Sequence, residues 1–196
     1  HNISFTILSL DTAISPVLGN LEAKGETWAR LEELYMQGYI AATISGHPCE
    51  TFSSARWTDP PQELQHVRWP RPLRTALRLF GLDHRRLREL RRTRLGSAFF
   101  LQTVWTLACH VAFGGLYLEE HPGIPLQPHH PSIWKSAILR LFRRHPDIKL
   151  HEIGQWHFGA STVKPTGLLA LRMPHFLGDL FAHADPQAVR PSSHAI

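Results

Sequence analysis

The residues that could do chemistry here are few. One is Cys49, in the stretch Gly46-His47-Pro48-Cys49-Glu50-Thr51-Phe52-Ser53. A thiolate is a strong nucleophile, and a tight turn after a strand is a place that would expose it. The competing reading is a small buried hydrophobe, the commonest fate of a free cysteine. A second group is the pair Glu119-Glu120, which follows the apolar run Leu116-Tyr117-Leu118. Adjacent residues on a strand point to opposite faces, so only one of the two carboxylates can serve a site. Lys164, just before Pro165, offers a cation. A cysteine hydrolase would need a histidine and an Asn or Asp at recognisable spacing, and no such box is present. Glu120, His121, His129 and His130 fit no common zinc spacing, so no metal is expected.

These residues need elements to hold them. The run "YIAATIS" from Tyr39 reads as a short buried strand that delivers the cysteine turn at its carboxyl end. In open α/β sheets that end is where ligands and reacting groups sit. "GGLYLEE" reads as the strand that delivers the glutamates, and "ISFTILSLD" as an earlier strand ending at Asp11. "EAKGETWARLEELYMQG" reads as a helix with Trp28, Leu31, Leu34 and Tyr35 at core spacing and Gly38 as its stop. A basic helix after Asp83, a separate apolar helix over Ser97–Ala112, and a helix in "SIWKSAILRLFRRH" follow. The last places Ile133, Trp134, Ala137, Ile138, Leu141 and Phe142 on one face. "IKLHEIGQWHFG" and "TGLLALRM" read as two closing strands. Strands alternating with helices predict a mostly parallel sheet.

A chain of 196 residues holds one α/β domain with a real core. The expected division is a domain over 1–180, with a basic Pro/Arg-rich insertion at 57–96 and a disordered tail at 181–196. Cys49 and Cys109, the only cysteines, make no disulfide framework, which favours a reducing, intracellular compartment. No signal peptide and no membrane partner are expected, since no uninterrupted apolar run of transmembrane length occurs in these 196 residues. The net charge of +5 hides an asymmetry. Between Arg68 and Arg94 ten arginines face only Asp83 and Glu89, a balance of +8, leaving −3 for the rest. Such a block suits a phosphate-facing surface, because neutralised phosphates release counterions. A solvated helix face is the plainer explanation.

Three boxes carry a resemblance. Pro48-Cys49-Glu50-Thr51-Phe52-Ser53 with Arg56, then Glu120-His121-Pro122, then Lys164-Pro165-Thr166, resemble the Pro-Cys, Glu-x-Pro and Lys-Pro-Thr boxes of divergent DNA cytosine-C5 methyltransferase-like proteins of protist genomes and retroelements. The resemblance spans most of Ile3 to Leu171 and rests chiefly on the cysteine box. It implies a Rossmann-like sheet, S-adenosylmethionine as methyl donor and DNA as partner, with RNA the other nucleic acid to consider. It makes Cys49 the nucleophile that adds to C6 of cytosine and Glu120 the acid that holds N3. It places Asp11 on the donor's ribose and Asn20 beside the donor. With the arginine block, it makes Arg56, Arg85, Arg86, Arg91, Arg92 and Lys164 the nucleic-acid contacts. A nuclear location would follow from a DNA partner.

The departures matter as much. His47 stands where the box has its first proline, and 71 residues separate Cys49 from Glu120, more than is usual, with the arginine block between them. The late Gln-x-Arg-x-Arg box is missing; Gln155 and Lys164 lie in its region without reproducing it. No Gly-x-Gly precedes Cys49, where Gly19, Gly25, Gly38 and Gly46 are isolated. The expectation is therefore a piece of such a domain, beginning after its first strand and inactive alone. The alternative is a non-catalytic nucleic-acid-binding domain of a mobile element.

Overall fold

In the computed structural model the described residues are 6–8, 10, 25–59, 62, 66, 69–83, 86–160, 164–173, 178 and 182. Among these residues four strands make one open sheet: β1 (Ala42–Ser45), β2 (Leu116–Pro122), β3 (Ile148–Gly154) and β4 (Pro165–Leu171), in the spatial order β1-β2-β4-β3. β1 and β2 are parallel, with Ser45 opposite Glu119. The expected mostly parallel sheet is thus corrected: β4 is antiparallel to both β2 and β3. The reason lies in the connections. A long helix links β1 to β2 and can make a parallel crossover, whereas the short link from β3 to β4 allows only an antiparallel return. β4 enters between β2 and β3 as the second arm of the closing hairpin. Consequently β1, β2 and β3 all end at the same sheet edge, and β4 begins there.

The link between β1 and β2 is α2 (Leu87–Phe113), 27 residues long. It corrects the expectation of two helices: the basic run and the apolar run are one continuous rod, and Gly96 between them does not break it. The last ten residues of the expected insertion are therefore the first turns of a core helix. α2 is long and apolar enough to cross a membrane by length and composition, and here Phe100, Val104 and Leu107 of that stretch pack in the core. They meet Tyr117, Leu169, Leu171 and Ile148 from one face of the sheet, together with Ile133, Trp134 and Leu139. On the other face Leu118, Leu168 and Ala170 form a smaller cluster. Gly114 ends α2 in the left-handed region (φ 80°). The Arg172 guanidinium donates to the carbonyls of His110 (2.8 Å), Gly115 (3.2 Å) and Val111 (3.2 Å), tying the end of β4 to the helix C-terminus.

α1 (Glu26–Met36) forms as expected, with Leu31 and Tyr35 buried against Cys109 of α2 and Gly38 at φ 70° just after it. The expected helix over Ser132–His145 is split instead. A 3-10 turn (Ile133–Lys135) precedes α3 (Ala137–Phe142), and Ser136 accepts from Leu139 N between them. The break shifts the register, so Ile133, Trp134 and Leu139 are buried while Ala137, Ile138 and Leu141 face outward. Of the first expected strand, Thr6–Leu8 carry no strand structure and Ile7 is exposed; most of the rest, with Asp11, lies outside the described residues. So do Asn20, Arg85 and all of the 181–196 tail but Ala182.

Candidate functional site

The carboxyl edge of the sheet collects three of the residues singled out above, Cys49, Glu120 and Lys164. β1 ends at Ser45, and the chain turns through Gly46-His47-Pro48 to Cys49, whose carbonyl accepts from Phe52 N at 2.8 Å. Cys49 is a half-buried free thiol. Glu120 lies on the outer face of β2, and its Oε2 is 3.6 Å from where a Cβ on Gly46 would stand. Lys164, just before β4, brings Nζ to 3.4 Å from Glu120 Oε1, and both side chains remain partly open to solvent. The structure therefore gathers the cysteine turn, Glu120 and Lys164 at one edge.

Beneath them lies a network that sequence reasoning did not foresee. Glu119, on the inner face of β2, is buried. Its carboxylate contacts His47 Nδ1 at 2.6 Å and accepts from Tyr117 Oη at 2.6 Å. Burial, then the Glu119 charge, hold the Tyr117 phenol well above its ordinary pKa, so it stays a donor. Thr103 Oγ1 of α2 also approaches His47 Nδ1, at 3.3 Å. The His47 ring stacks on His121 with centroids 4.5 Å apart. Burial, then His47, pull the His121 pKa down to about 2, so this imidazole is neutral. Neither His121 nitrogen has a hydrogen-bond partner among the described residues, and the Pro122 carbonyl nearby is taken by Trp134 Nε1 at 2.7 Å. The alternation Tyr117, Glu119, His121 along β2 is the signal that would have revealed this inner face.

On the far side of the turn the surprise is Arg74. It sits in the arginine block read as surface, yet it is fully buried. Its guanidinium donates to Thr51 Oγ1 (3.0 Å), to Ser97 Oγ (3.0 Å), to the carbonyl of Thr93 (2.7 Å) and to that of Leu79, and lies 4.0 Å over the Phe52 ring. Nothing in the sequence of the proline-rich loop marks it.

The remaining arginines divide. Arg56 is spent on backbone, donating to the carbonyls of Glu50 (2.6 Å) and Arg71 (3.1 Å), which leaves it a clamp on the turn. Arg71 forks onto Glu89 through Nε (2.9 Å) and Nη2 (2.5 Å), and Arg78 pairs with Asp83. Arg92 reaches Glu50 at 3.6 Å, which seats the start of α2 beside the cysteine turn. Arg86, at the N-cap of α2, is exposed. Arg88, Arg91 and Arg94 are exposed and hold no carboxylate partner among the described residues. Within the described part of the arginine block, the unpaired basic surface is thus the first turns of α2, near the cysteine turn that Arg92 reaches through Glu50. Comparison with protein-family models, with curated proteins and with solved structures finds no match.

Proposed function

We propose that this chain carries the base-handling side of a DNA cytosine-C5 methyltransferase-like domain, with Cys49 as nucleophile and Glu120 as the acid that holds the ring. One juxtaposition supports this most: the parallel pair β1–β2 sets the Cys49 turn and Glu120 at one sheet edge, with Lys164 3.4 Å from that carboxylate. In this reading β1 and β2 are the strands that present the cysteine and glutamate boxes of a Rossmann-like sheet, and β3–β4 is its closing hairpin. The target cytosine reaches them flipped out of the helix or in a single strand.

The chemistry follows from the ring. Cytosine is a poor nucleophile at C5. Addition of the Cys49 thiolate to C6, with Glu120 protonating N3, moves the electron pair to C5 and makes an enamine. Lys164 lies where it would keep Glu120 oriented. S-adenosylmethionine would supply the methyl group that C5 then takes. The described residues do not fit a donor cradle: Gly25, Gly38 and Gly46 stand singly, and Gly46 is occupied by its approach to Glu120. The chemistry these residues support is therefore that of the base alone.

That half-reaction has its own signature. Without a donor, the enamine takes a proton from solvent at C5, loses the original hydrogen, and expels the thiolate. A single-stranded oligodeoxynucleotide bearing 5-tritiated cytosine should therefore release tritium to water. Cys49→Ser should abolish the release, and Glu120→Gln should slow it by about a hundredfold, within the range of a positioned acid. No release from the wild-type chain with oligonucleotide bound would contradict the proposal. The exposed stripe Arg88, Arg91 and Arg94 favours a second reading for that case, a domain that binds nucleic acid without reacting.

A further inference from the structure

The turn that carries Cys49 has an unusual pattern of burial. Pro48 and Glu50 are exposed and Cys49 is half-buried, yet His47 and Thr51, two residues to either side, are buried. Each is held by a buried charged residue from elsewhere in the fold. His47 is bound by Glu119 of β2 at 2.6 Å, and Thr51 by Arg74 at 3.0 Å. Glu119 is itself fixed by Tyr117, and Arg74 by Thr93 and Ser97 of α2. Burying a carboxylate and a guanidinium costs stability unless each is fully partnered, and a hydrophobic pair would pack the same space more cheaply. A device of that cost, applied twice around one thiol, needs a reason local to the thiol.

We infer that Glu119, through His47, and Arg74, through Thr51, are positioning residues that hold the Cys49 turn at both ends and fix the thiol relative to Glu120. The geometry has a simple consequence. Glu119 and Glu120 are consecutive on β2, so one strand end both anchors the cysteine turn from below and presents the acid above it. The cysteine turn is then tied to the strand that carries Glu120 by one short, buried contact, Glu119 to His47 at 2.6 Å. The catalytic consequence rests on the cytosine reading; the mechanical one does not.

The test uses the full chain with His47→Ala, His47→Asn and Thr51→Val. Asparagine places an amide nitrogen close to where His47 Nδ1 lies and can still donate to Glu119. Thr51→Val keeps the shape and removes only the hydroxyl that Arg74 Nε meets. Two readouts are taken: alkylation rates of Cys49 and Cys109 with iodoacetamide, resolved by peptide mapping, and kcat and KM for tritium release. His47→Ala should raise the Cys49 rate about tenfold, the factor that one lost charge-assisted hydrogen bond produces in an opening equilibrium. Cys109 should be unchanged, His47→Asn should restore the wild-type rate, and Thr51→Val should give a smaller rise. Tritium release by His47→Ala should fall in kcat with KM little altered. Unchanged Cys49 labelling in both His47→Ala and Thr51→Val would overturn the inference. So would equal acceleration of both cysteines, which marks general loosening. If the wild-type chain releases no tritium, the labelling result still decides the anchoring, and the cytosine reading alone falls.

Discussion

Glu119 and Glu120 are neighbours with opposite environments. Glu119 is sealed against His47 and Tyr117, whereas Glu120 faces Lys164 at the surface. Sequence alternation made that split legible, because one of two adjacent strand residues must turn inward. The partners were not legible: His47 comes from 72 residues away, and nothing in its local sequence points to β2. Arg74 was least legible of all, since an arginine in a basic proline-rich loop reads as solvated. The split predicts unequal costs. Glu119→Ala removes the carboxylate shared by a buried imidazole and a buried phenol, leaving His47 only the longer Thr103 contact, and should destabilise the fold by about 3–5 kcal/mol. Glu120→Ala removes only a partly exposed pair and should stay within about 1 kcal/mol. Urea unfolding of the two variants measures the difference, and similar losses would mean that the faces are misassigned.

At the scale of elements, α2 joins the arginine block to the core. The expectation of two helices failed because a glycine between a basic and an apolar run looks like a stop. Here Gly96 is needed for contact instead. A Cβ there would stand 2.8 Å from Thr51 Oγ1 and 3.0 Å from Arg74 Nη2, and both atoms are pinned. Gly96→Ala should therefore destabilise by about 1–3 kcal/mol despite alanine's better helix propensity. A thermal melt showing stabilisation would mean that the turn packs more loosely than described. The same helix sharpens the prediction for the basic surface. Arg71, Arg74, Arg78 and Arg92 have internal partners. That leaves Arg86, Arg88, Arg91 and Arg94 as the arginines of the block that are exposed without a carboxylate partner among the described residues, and the last three lie on the body of α2. If each meets a phosphate, replacing all three with serine should cut the slope of log affinity against log salt by about 2–3 on duplex DNA. An unchanged slope would leave the stripe as solvated helix surface.

For the molecule as a whole, the sheet was half legible. The approximate places of β1 to β4 followed from apolar runs ending in turns. But β1 is an exposed edge strand with Ile44 open to solvent, where a buried one was expected, and the third run leaves the sheet at Gly154 for a 3-10 turn over Gln155–Phe158. The majority strand direction did not follow, because it depends on where β4 inserts, and no local pattern encodes that. The buried histidines give the fold a pH dependence. His110 sits between Thr43 and the Arg172 side, with Nε2 at 2.7 Å from Thr43 Oγ1, and burial, then Arg172, lower its pKa to about 4. His121 is lowered further, to about 2. Both bind protons more readily unfolded than folded, since the free imidazole titrates near 6.5. Stability should therefore be full above about pH 6.5 and decline as the pH falls toward 4, where the unfolded chain alone takes up protons. Urea unfolding across that range should show the decline, and His110→Gln with His121→Phe should make it shallower. A flat profile would mean that these rings are solvated in the folded protein.

In the function proposed above, the Cys49 thiol meets C6 of a pyrimidine held by Glu120. A single-stranded oligodeoxynucleotide carrying 2-pyrimidinone in place of one cytosine tests it most directly, because that ring lacks the amino group and accepts a thiolate at C6 without any methyl donor. The account predicts a covalent protein–oligonucleotide adduct, mapped by mass spectrometry to the peptide containing Cys49, lost in Cys49→Ser and weakened in Glu120→Gln. Burial raises the pKa of the Cys109 thiol and keeps it out of this chemistry. No adduct at saturating oligonucleotide, or an adduct on Cys109 in place of Cys49, would contradict the account.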